Sequence, residues 1–304
     1  MESPPIYVEI RIRGDLSEIW RRTQTPEEHQ RWDLRFTDIE YLPRPDPAAP
    51  QQFLYATRIG FGLRIAGAGE SVGENHGPAG RVSALKFWSD DPKSLIREGS
   101  GYWKYVPTDD GQRFLTRYDY RTRFGITGAV VDRWLFRPLL GWATAWSFDR
   151  LRLWIERGID PAVALERSVI HASARLALAI IWLYQGIVPK VIYQDSGELD
   201  ILRGSGAFPG REAEVLVAIG FGEIAFGLLH LLLWRWRGLF AGNIVLLLLL
   251  ASGAAVSQPS VFLQPFNPTT LTIGMAALSV VGLLSQRHLP SARRCLRREP
   301  RSGA

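Results

Sequence analysis

The sequence is poor in residues and motifs that would identify a familiar enzyme. Its one cysteine, Cys295, cannot form an internal disulfide, and a plain reduced thiol is favoured over lipidation. The five histidines are too scattered to predict a metal site, so none is expected. No GxSxG, HExxH or CxxC motif and no P-loop occurs, which argues against familiar hydrolases and NTPases. No charged segment followed by an apolar run begins the sequence, so no cleavable signal is expected.

Charge is also scarce in one long part of the chain, although 22% of all residues are charged and the net charge is +6. Residues 168–190, SVIHASARLALAIIWLYQGIVPK, are long enough to supply the ~20 residues that cross a bilayer. Three further apolar runs follow at about 213–234, 239–256 and 270–286. Since lipid leaves no partner for an unpaired backbone, all of them are predicted to be transmembrane helices. A buried soluble bundle is disfavoured because the last two runs have no charged face.

The distribution of arginine and lysine predicts the orientation of these spans. One side of the membrane is predicted to carry three groups of arginines. They lie at the end of the N-terminal region, in the Arg235–Arg237 turn and in the basic C-terminal tail. Lys190, Arg203 and Arg211 fall on the other side among acidic residues. We therefore expect a bacterial inner-membrane protein with both termini in the cytoplasm. No basic helix is interleaved with base-stacking aromatics, so no nucleic-acid partner is expected.

The N-terminal region shows the alternation of β-strands. Residues 6–14 alternate apolar and polar side chains, and two short helices are predicted to start near Asp15 and Pro26. Closely spaced strands follow, which indicates an antiparallel sheet. The clearest strand, 113–124, has one face made of Phe114, Thr116, Tyr118, Tyr120, Thr122 and Phe124. From Gly128 the period becomes helical, with a disruption expected just before Pro138.

Three local segments in this region carry a resemblance: Asp15 to Trp20 (DLSEIW), Pro26-Glu27 and Trp32-Asp33. With the order of elements, they make residues 5–157 similar to the START-like, or SRPBCC, superfamily. The resemblance implies a curved sheet gripping a long C-terminal helix, with an apolar ligand cavity between them. The residues expected to line it are Trp88, Trp103, Phe114, Tyr118, Tyr120 and Phe124. A filled core is the alternative for the same side chains.

The membrane region carries a second resemblance. The segment WLYQGIVPK from Trp182 to Lys190, then Glu198-Leu199, and Gly222-Glu223 with Gly227 look like the DoxX-like family over residues 169–287. The predicted architecture is thus an α+β START-like helix-grip domain (1–158), an all-α four-transmembrane-helix bundle (161–288) and a basic tail (289–304). No cofactor is evident from the motifs. Better-known DoxX-like relatives are linked to quinone systems, so the resemblance leaves quinone open as a cofactor and a membrane redox protein open as a partner.

Several polar residues interrupt the spans. Glu223 lies mid-span, where an unpaired carboxylate is costly, and His230 lies on nearly the same helical face. We predict a Glu223–Arg175 pair facing the bundle interior, acting either as a proton- or ligand-handling site or as a packing clip. Gln185 and Lys190 are candidates for a quinone or lipid head-group site; interfacial anchoring by Trp182 and Tyr184, a snorkelling Lys190 and a helix end at Pro189 are the alternative.

Three functions remain open from the sequence. The first is a cytoplasmic domain that binds a lipid or other hydrophobic small molecule beside a membrane bundle. The second is an accessory subunit of a quinone-linked oxidoreductase, and the third is a small transporter that uses Glu223. The bilayer is a partner in all three, while self-association into a homo-oligomer and any catalytic role stay open.

Overall fold

In a computed structural model the chain folds into two units. The structure describes residues 4–46, 48–60, 62–77, 80–195, 197–265 and 267–300. The first unit contains the described residues up to Ala164 together with the segment that starts at Pro290, and the second is Leu165–Leu289. The C-terminal segment, interpreted from its sequence as a separate basic tail, thus belongs to the N-terminal unit.

The first unit is built on a seven-stranded antiparallel sheet in the order β1-β7-β6-β5-β4-β3-β2. The strands are β1 Ile6–Ile12, β2 Asp38–Tyr41, β3 Gln52–Gly60, β4 Leu63–Gly77, β5 Gly80–Trp88, β6 Ile96–Thr108 and β7 Gly111–Thr122. The alternation predicted for β7 is confirmed as far as Tyr120, since Phe114, Thr116, Tyr118 and Tyr120 are all buried. These side chains form the buried face of the sheet. The strand ends at Thr122, and Phe124 follows it in a left-handed conformation with an exposed side chain, so the prediction of a strand up to Phe124 is wrong.

Helices pack against the buried face of the sheet. Helices α1 (Leu16–Gln24) and α2 (Pro26–Trp32) separate β1 from β2, and α3 (Gly125–Val131) follows β7. A π-helical turn, Asp132–Phe136, joins α3 to the long helix α4, Arg137–Arg157. Pro138 lies in the first turn of α4, where its missing N–H costs no helical hydrogen bond, so the predicted disruption is confirmed. The ring of Phe148 on α4 stacks on Phe114 with centroids 4.4 Å apart.

The C-terminal segment closes the open edge of β1. Leu296 and Glu9 exchange two backbone hydrogen bonds of 2.9 Å each. The backbone N–H of Ser291 donates to the Asp149 carboxylate at 2.8 Å, and Cys295 is buried with Sγ 3.2 Å from the carbonyl oxygen of Ala145. A strand edge without such a partner would expose unpaired backbone groups.

The second unit contains the predicted spans. Helix α5 (Pro161–Gly186) begins after Asp160, whose carboxylate accepts from the N–H of Ala162 at 2.8 Å, as predicted for a cap. It continues as a π-helical segment, Ile187–Ile192, so Pro189 does not end the helix. Helices α6 (Glu198–Gly204), α7 (Glu212–Leu232), α8 (Gly238–Ser257) and α9 (Pro268–Ser285) follow. In the part of the chain that the structure describes, four segments are long and apolar enough to cross a membrane: Pro161–Ile192, α7, α8 and α9.

Candidate ligand cavity and buried polar groups

A cavity of about 590 Å³ lies in the first unit under strands β3 to β7. This volume falls within the ~300–1,000 Å³ of small-molecule sites. Its walls are mostly apolar, and the aromatic side chains that line it include Phe36, Tyr41, Phe53, Tyr55, Phe87 and Trp103. Part of the core predicted from the sequence is therefore filled, while the part under β3, β4 and β5 is open.

Glycines in the sheet explain why the aromatic side chains do not fill this space. A Cβ on Gly67 would lie 2.4 Å from the ring of Tyr55, and one on Gly69 would lie 2.4 Å from the ring of Phe53. Since these positions have no side chain, both rings lie flat over the neighbouring strand β4 and form the cavity wall without filling the cavity. A Cβ on Gly67 or Gly69 would also lie 2.6 or 2.7 Å from a carbonyl oxygen of β5, so a larger residue would push a ring into the cavity and displace β5.

The charged groups at the cavity wall are neutralised within the protein. The guanidinium group of Arg35 donates hydrogen bonds to both carboxylate oxygens of Asp33, from Nε at 2.9 Å and from Nη2 at 2.6 Å. Burial of Asp33 opposes its ionisation, but Arg35 and His29 hold the pKa of that carboxyl well below its usual range. Lys93 likewise lies 3.6 Å from Asp91. The cavity thus presents little net charge to an occupant.

His29 completes the polar end of the cavity. Its Nε2 lies 3.1 Å from Asp33, and its ring packs edge-on against Trp103. Burial lowers the pKa of His29 more than Asp33 raises it, so the imidazole is neutral at neutral pH. With Asp33 ionised, Nε2 is the nitrogen that donates, and Nδ1 is left as an acceptor.

The six residues predicted from the sequence to line the cavity divide into two groups. Trp103, Tyr118 and Phe124 line it. Phe114 is fully buried against Phe148, and the hydroxyl of Tyr120 donates to Asp132 at 2.6 Å, so these two are core residues. Trp88 is also outside the lining, because Ser83, Leu85 and Phe87 line the cavity and strand alternation places Trp88 on the other face.

The lining residues that sequence reasoning missed include Phe53, Tyr55, Thr57 and Ile59 of β3, with Arg35 before β2. The period of two in β3 could have identified its inward set. Nothing local distinguishes Arg35, whose place in the cavity follows from its pairing with Asp33.

In the membrane unit, Glu223 pairs with Lys190 and not with Arg175. The Lys190 Nζ lies 2.9 Å from a carboxylate oxygen of Glu223, 2.5 Å from Glu198 and 3.2 Å from the backbone oxygen of Gln185. The expected Glu223–Arg175 pair is therefore wrong. The π-helical continuation of the first span and the close approach of Lys190 to Gly220, where a Cβ would lie 2.8 Å from that of Lys190, bring the lysine into the bundle.

Lys190 thus does not snorkel: it is buried, as is its partner Glu223. Arg175 is buried too, where it donates to the carbonyl oxygen of Trp236 at 2.7 Å and lies 4.4 Å from the ring centre of Phe240. Within the described residues, neither ring nitrogen of the buried His230 has a hydrogen-bond partner.

A separate polar link holds three spans together. The Nε1 of Trp182 donates to the side-chain oxygen of Asn243 at 2.7 Å, and the amide nitrogen of Asn243 donates to Ser279 at 2.8 Å. Trp182 is therefore part of the bundle core, which corrects its interpretation as an interfacial anchor, whereas Tyr184 is exposed.

Comparison with known proteins agrees with the two-unit organisation. The DoxX-like family model matches residues 179–280. The chain is also 50% identical over 188 residues to the uncharacterized membrane protein YndG of Bacillus subtilis strain 168, a match covering 61% of this chain and 70% of YndG. The chain belongs to the family of YndG. Its membrane unit is DoxX-like, as the sequence predicted.

Solved structures similar to the chain include two aromatase/cyclase proteins. The di-domain ARO/CYC StfQ from the steffimycin biosynthetic pathway is 17% identical, with a TM-score of 0.40, covering 51% of this chain and 52% of StfQ. The Zhui aromatase/cyclase from Streptomyces sp. R1128 is 15% identical, with a TM-score of 0.34, covering 49% of this chain and 95% of Zhui. Because both scores are below 0.5, neither structure is used to assign the fold. The START-like helix-grip fold is assigned from this chain's own seven-stranded sheet and from α4, which packs across it.

Proposed function

We propose that the first unit binds an uncharged hydrophobic small molecule, of lipid or isoprenoid type, beside the DoxX-like membrane unit. The observation that carries this proposal is the apolar cavity of about 590 Å³, kept open because Tyr55 and Phe53 lie over glycines. An empty apolar volume of this size forfeits packing contacts, and a hydrophobic ligand would restore them.

The chemistry of the wall supports a neutral ligand. Arg35 is paired with Asp33, so an anionic ligand would have to compete with a buried carboxylate. The side chains of Thr23, Gln24 and Ser83 line one side of the cavity, where they hydrogen-bond to Tyr105 or to each other. The second amide hydrogen of Gln24 and the remaining oxygen lone pairs are left for one polar end of the ligand. A mostly apolar molecule with a single carbonyl or hydroxyl group fits this distribution.

We also propose that this unit faces the cytoplasm at a bacterial inner membrane. The chain enters the span region from the first unit and returns to the first unit after it. It must therefore cross the bilayer an even number of times, and four spans satisfy this requirement. Two crossings separate the Arg235–Arg237 turn from the first unit, so the turn would lie on the same side of the bilayer, in line with the excess of positive charge on cytoplasmic loops. A cysteine replacing the exposed Asp109, in a Cys295→Ala background, should react with an impermeant maleimide in inside-out vesicles only. Labelling in right-side-out vesicles would reverse the orientation.

Native mass spectrometry of the full-length protein released from detergent tests the binding proposal. The wild type should retain a small apolar molecule. Leu85→Trp, which places an indole in the cavity, should lose it, whereas Leu54→Trp, on the opposite face of the sheet, should keep it. Equal retention by both variants, or no bound molecule in the wild type, would refute the proposal.

A second candidate function is proton or cation handling in the membrane unit. The Lys190 ammonium lies against two carboxyl groups, those of Glu198 and Glu223. Ionisation of both would leave one net negative charge, which a proton or a cation would neutralise. Glu223→Gln should abolish the uptake of protons or cations into proteoliposomes that a proton gradient drives, while the variant assembles normally. Retained uptake would remove this candidate. The quinone-linked accessory role stays a prediction, tested by whether a redox partner is retained on purification.

A further inference from the structure

A row of apolar side chains is exposed along the helical segment that follows β7. Ile126 is 86% exposed, Trp134 77% and Leu135 64%. With three more exposed apolar residues they form what we call the apolar ridge: Ile126, Val130, Trp134, Leu135, Leu139 and Trp142. An exposed apolar surface of this extent marks an interaction site in a soluble domain.

A basic groove shares this helical segment. It has a volume of about 550 Å³, and its wall includes four arginines, Arg133, Arg137, Arg297 and Arg298. We call it the arginine groove. Among the described residues that line it there is no aspartate or glutamate. Arg137 is held by Asp132 and Asp119 at 2.8 and 2.9 Å, while Arg133, Arg297 and Arg298 are exposed.

We propose that the apolar ridge and the arginine groove together dock on the surface of a bilayer containing anionic phospholipid. The ridge would enter the head-group boundary, as apolar faces of interfacial helices do. The guanidinium groups would bind lipid phosphates, which match their planar donor geometry. Arg133 and Trp134 are adjacent in sequence, so the phosphate-binding and inserting side chains leave the same turn.

Two observations favour a lipid surface over a protein partner. The first unit is joined directly to a membrane span, since α4 ends at Arg157 and α5 starts at Pro161, so a bilayer is always within reach. The arginine groove also calls for an anion beside an apolar layer, and an anionic phospholipid supplies both. A second copy of this chain would bring the same arginines and repel them.

The docking has a consequence for the cavity, although it does not depend on ligand binding there. Phe124, Thr127 and Val131, at the start of the same helical segment, line the cavity. The segment that would lie on the lipid therefore forms part of the cavity wall. A hydrophobic ligand could then pass between bilayer and cavity without crossing water.

Depth-dependent quenching in the full-length protein tests the docking. A fluorophore would be attached to Ile126→Cys in a Cys295→Ala background, in nanodiscs with phosphatidylglycerol. Asp109→Cys is the matched control: it is exposed in the β6–β7 turn, roughly 36 Å from α3 along β7 at about 3.3 Å per residue. We expect lipid-bound quenchers to act at position 126 only and iodide to act at position 109 only. Quenching of position 126 by iodide would overturn the proposal. So would the absence of quenching by either agent, which is the result expected if another protein covers this surface.

The arginines are tested by removing charge without touching the ridge. Arg297→Gln/Arg298→Gln should reduce lipid quenching at position 126 by lowering the ratio of docked to undocked protein, about fivefold for each arginine. The matched control, Arg11→Gln/Arg13→Gln, removes the same charge from the end of β1 beside the β6–β7 turn, far from α3, and should have no effect. Equal effects of the two double variants, or equal quenching in phosphatidylcholine alone, would overturn the role of the groove. None of these readouts requires a bound ligand, so they can fail or succeed independently of the cavity proposal.

Discussion

Lys190 and Glu223 form an ion pair between the first and second spans, with the ammonium nitrogen 2.9 Å from the carboxylate oxygen. Both side chains are buried, and Glu198 lies on the same ammonium at 2.5 Å. In such a site the attraction between the charges offsets the cost of removing each from water. The pair therefore connects the two helices only while both partners are present.

Replacing one partner should be worse than replacing both. Lys190→Met leaves two carboxylates without their cation and should lower the free energy of unfolding by roughly 3 kcal/mol. Lys190→Met/Glu223→Gln removes the buried charge of Glu223 as well and should recover much of that loss. Thermal unfolding in detergent, arranged as a double-mutant cycle, measures the coupling. Additive losses would show that the two residues do not support each other.

The glycines under the aromatic rings should control the size of the cavity. Gly67→Ala places a methyl group 2.4 Å from the ring of Tyr55 and 2.6 Å from the carbonyl oxygen of Trp88, so the ring should tilt into the cavity, β5 should shift, and ligand retention should fall. The strain should also cost about 1–3 kcal/mol. Gly73→Ala on the same strand is the control, because its Cβ would meet nothing within 4 Å. If both variants retain the bound molecule equally in native mass spectrometry, the rings do not determine the cavity.

The sheet of the first unit should lose stability in acid in two steps. Burial lowers the pKa of His29 below 6.5, so as the pH falls below that value the unfolded chain takes up a proton that the folded chain refuses. Against the effect of its burial, Arg35 lowers the pKa of Asp33 below 3.8, which adds a second loss below that pH. Thermal unfolding of the sheet, followed by its amide I band, measures both steps.

The His29→Gln variant separates the two steps. It should flatten the stability profile between pH 6.5 and 3.8 and leave the second decline in place. A wild-type profile that is already flat over this interval would contradict the assignment to His29.

Cys295 should report on the docked C-terminal segment. Burial, reinforced by Asp149, raises the pKa of its thiol, so it should react slowly with maleimide in the native protein. Leu296→Pro removes the N–H that donates to Glu9 and should speed labelling about tenfold. Leu296→Ala keeps that bond and should label like the wild type. Equal rates for all three proteins would mean that the segment does not protect the thiol.

Local sequence pattern was enough to predict much of the fold. Period-two alternation located β1 and β7, Pro138 located the irregular turn, and the apolar runs located the spans. Each of these signals depends on residues that are neighbours in the chain, so the sequence alone contains it. The resemblances then supplied the helix-grip and DoxX-like architectures.

The side-chain pairs inside the membrane unit were not predictable in the same way. Position along the spans suggested Arg175 for Glu223, but the π-helical turn after Gly186 carries Lys190 inward and changes the partner. Leu296 could not be assigned to the edge of β1, because that pairing joins residues almost 290 positions apart and leaves no local trace. The cavity depends likewise on glycines of one strand meeting rings of the next.

Photo-crosslinking in growing cells tests the central claim most directly. A diazirine amino acid in place of Leu85 faces the cavity, and one in place of Leu54 faces away from it. After irradiation, mass spectrometry of the purified protein should show a small apolar adduct at position 85 and none at position 54. No adduct at position 85, or the same adducts at both positions, would contradict the account of a ligand-binding first unit.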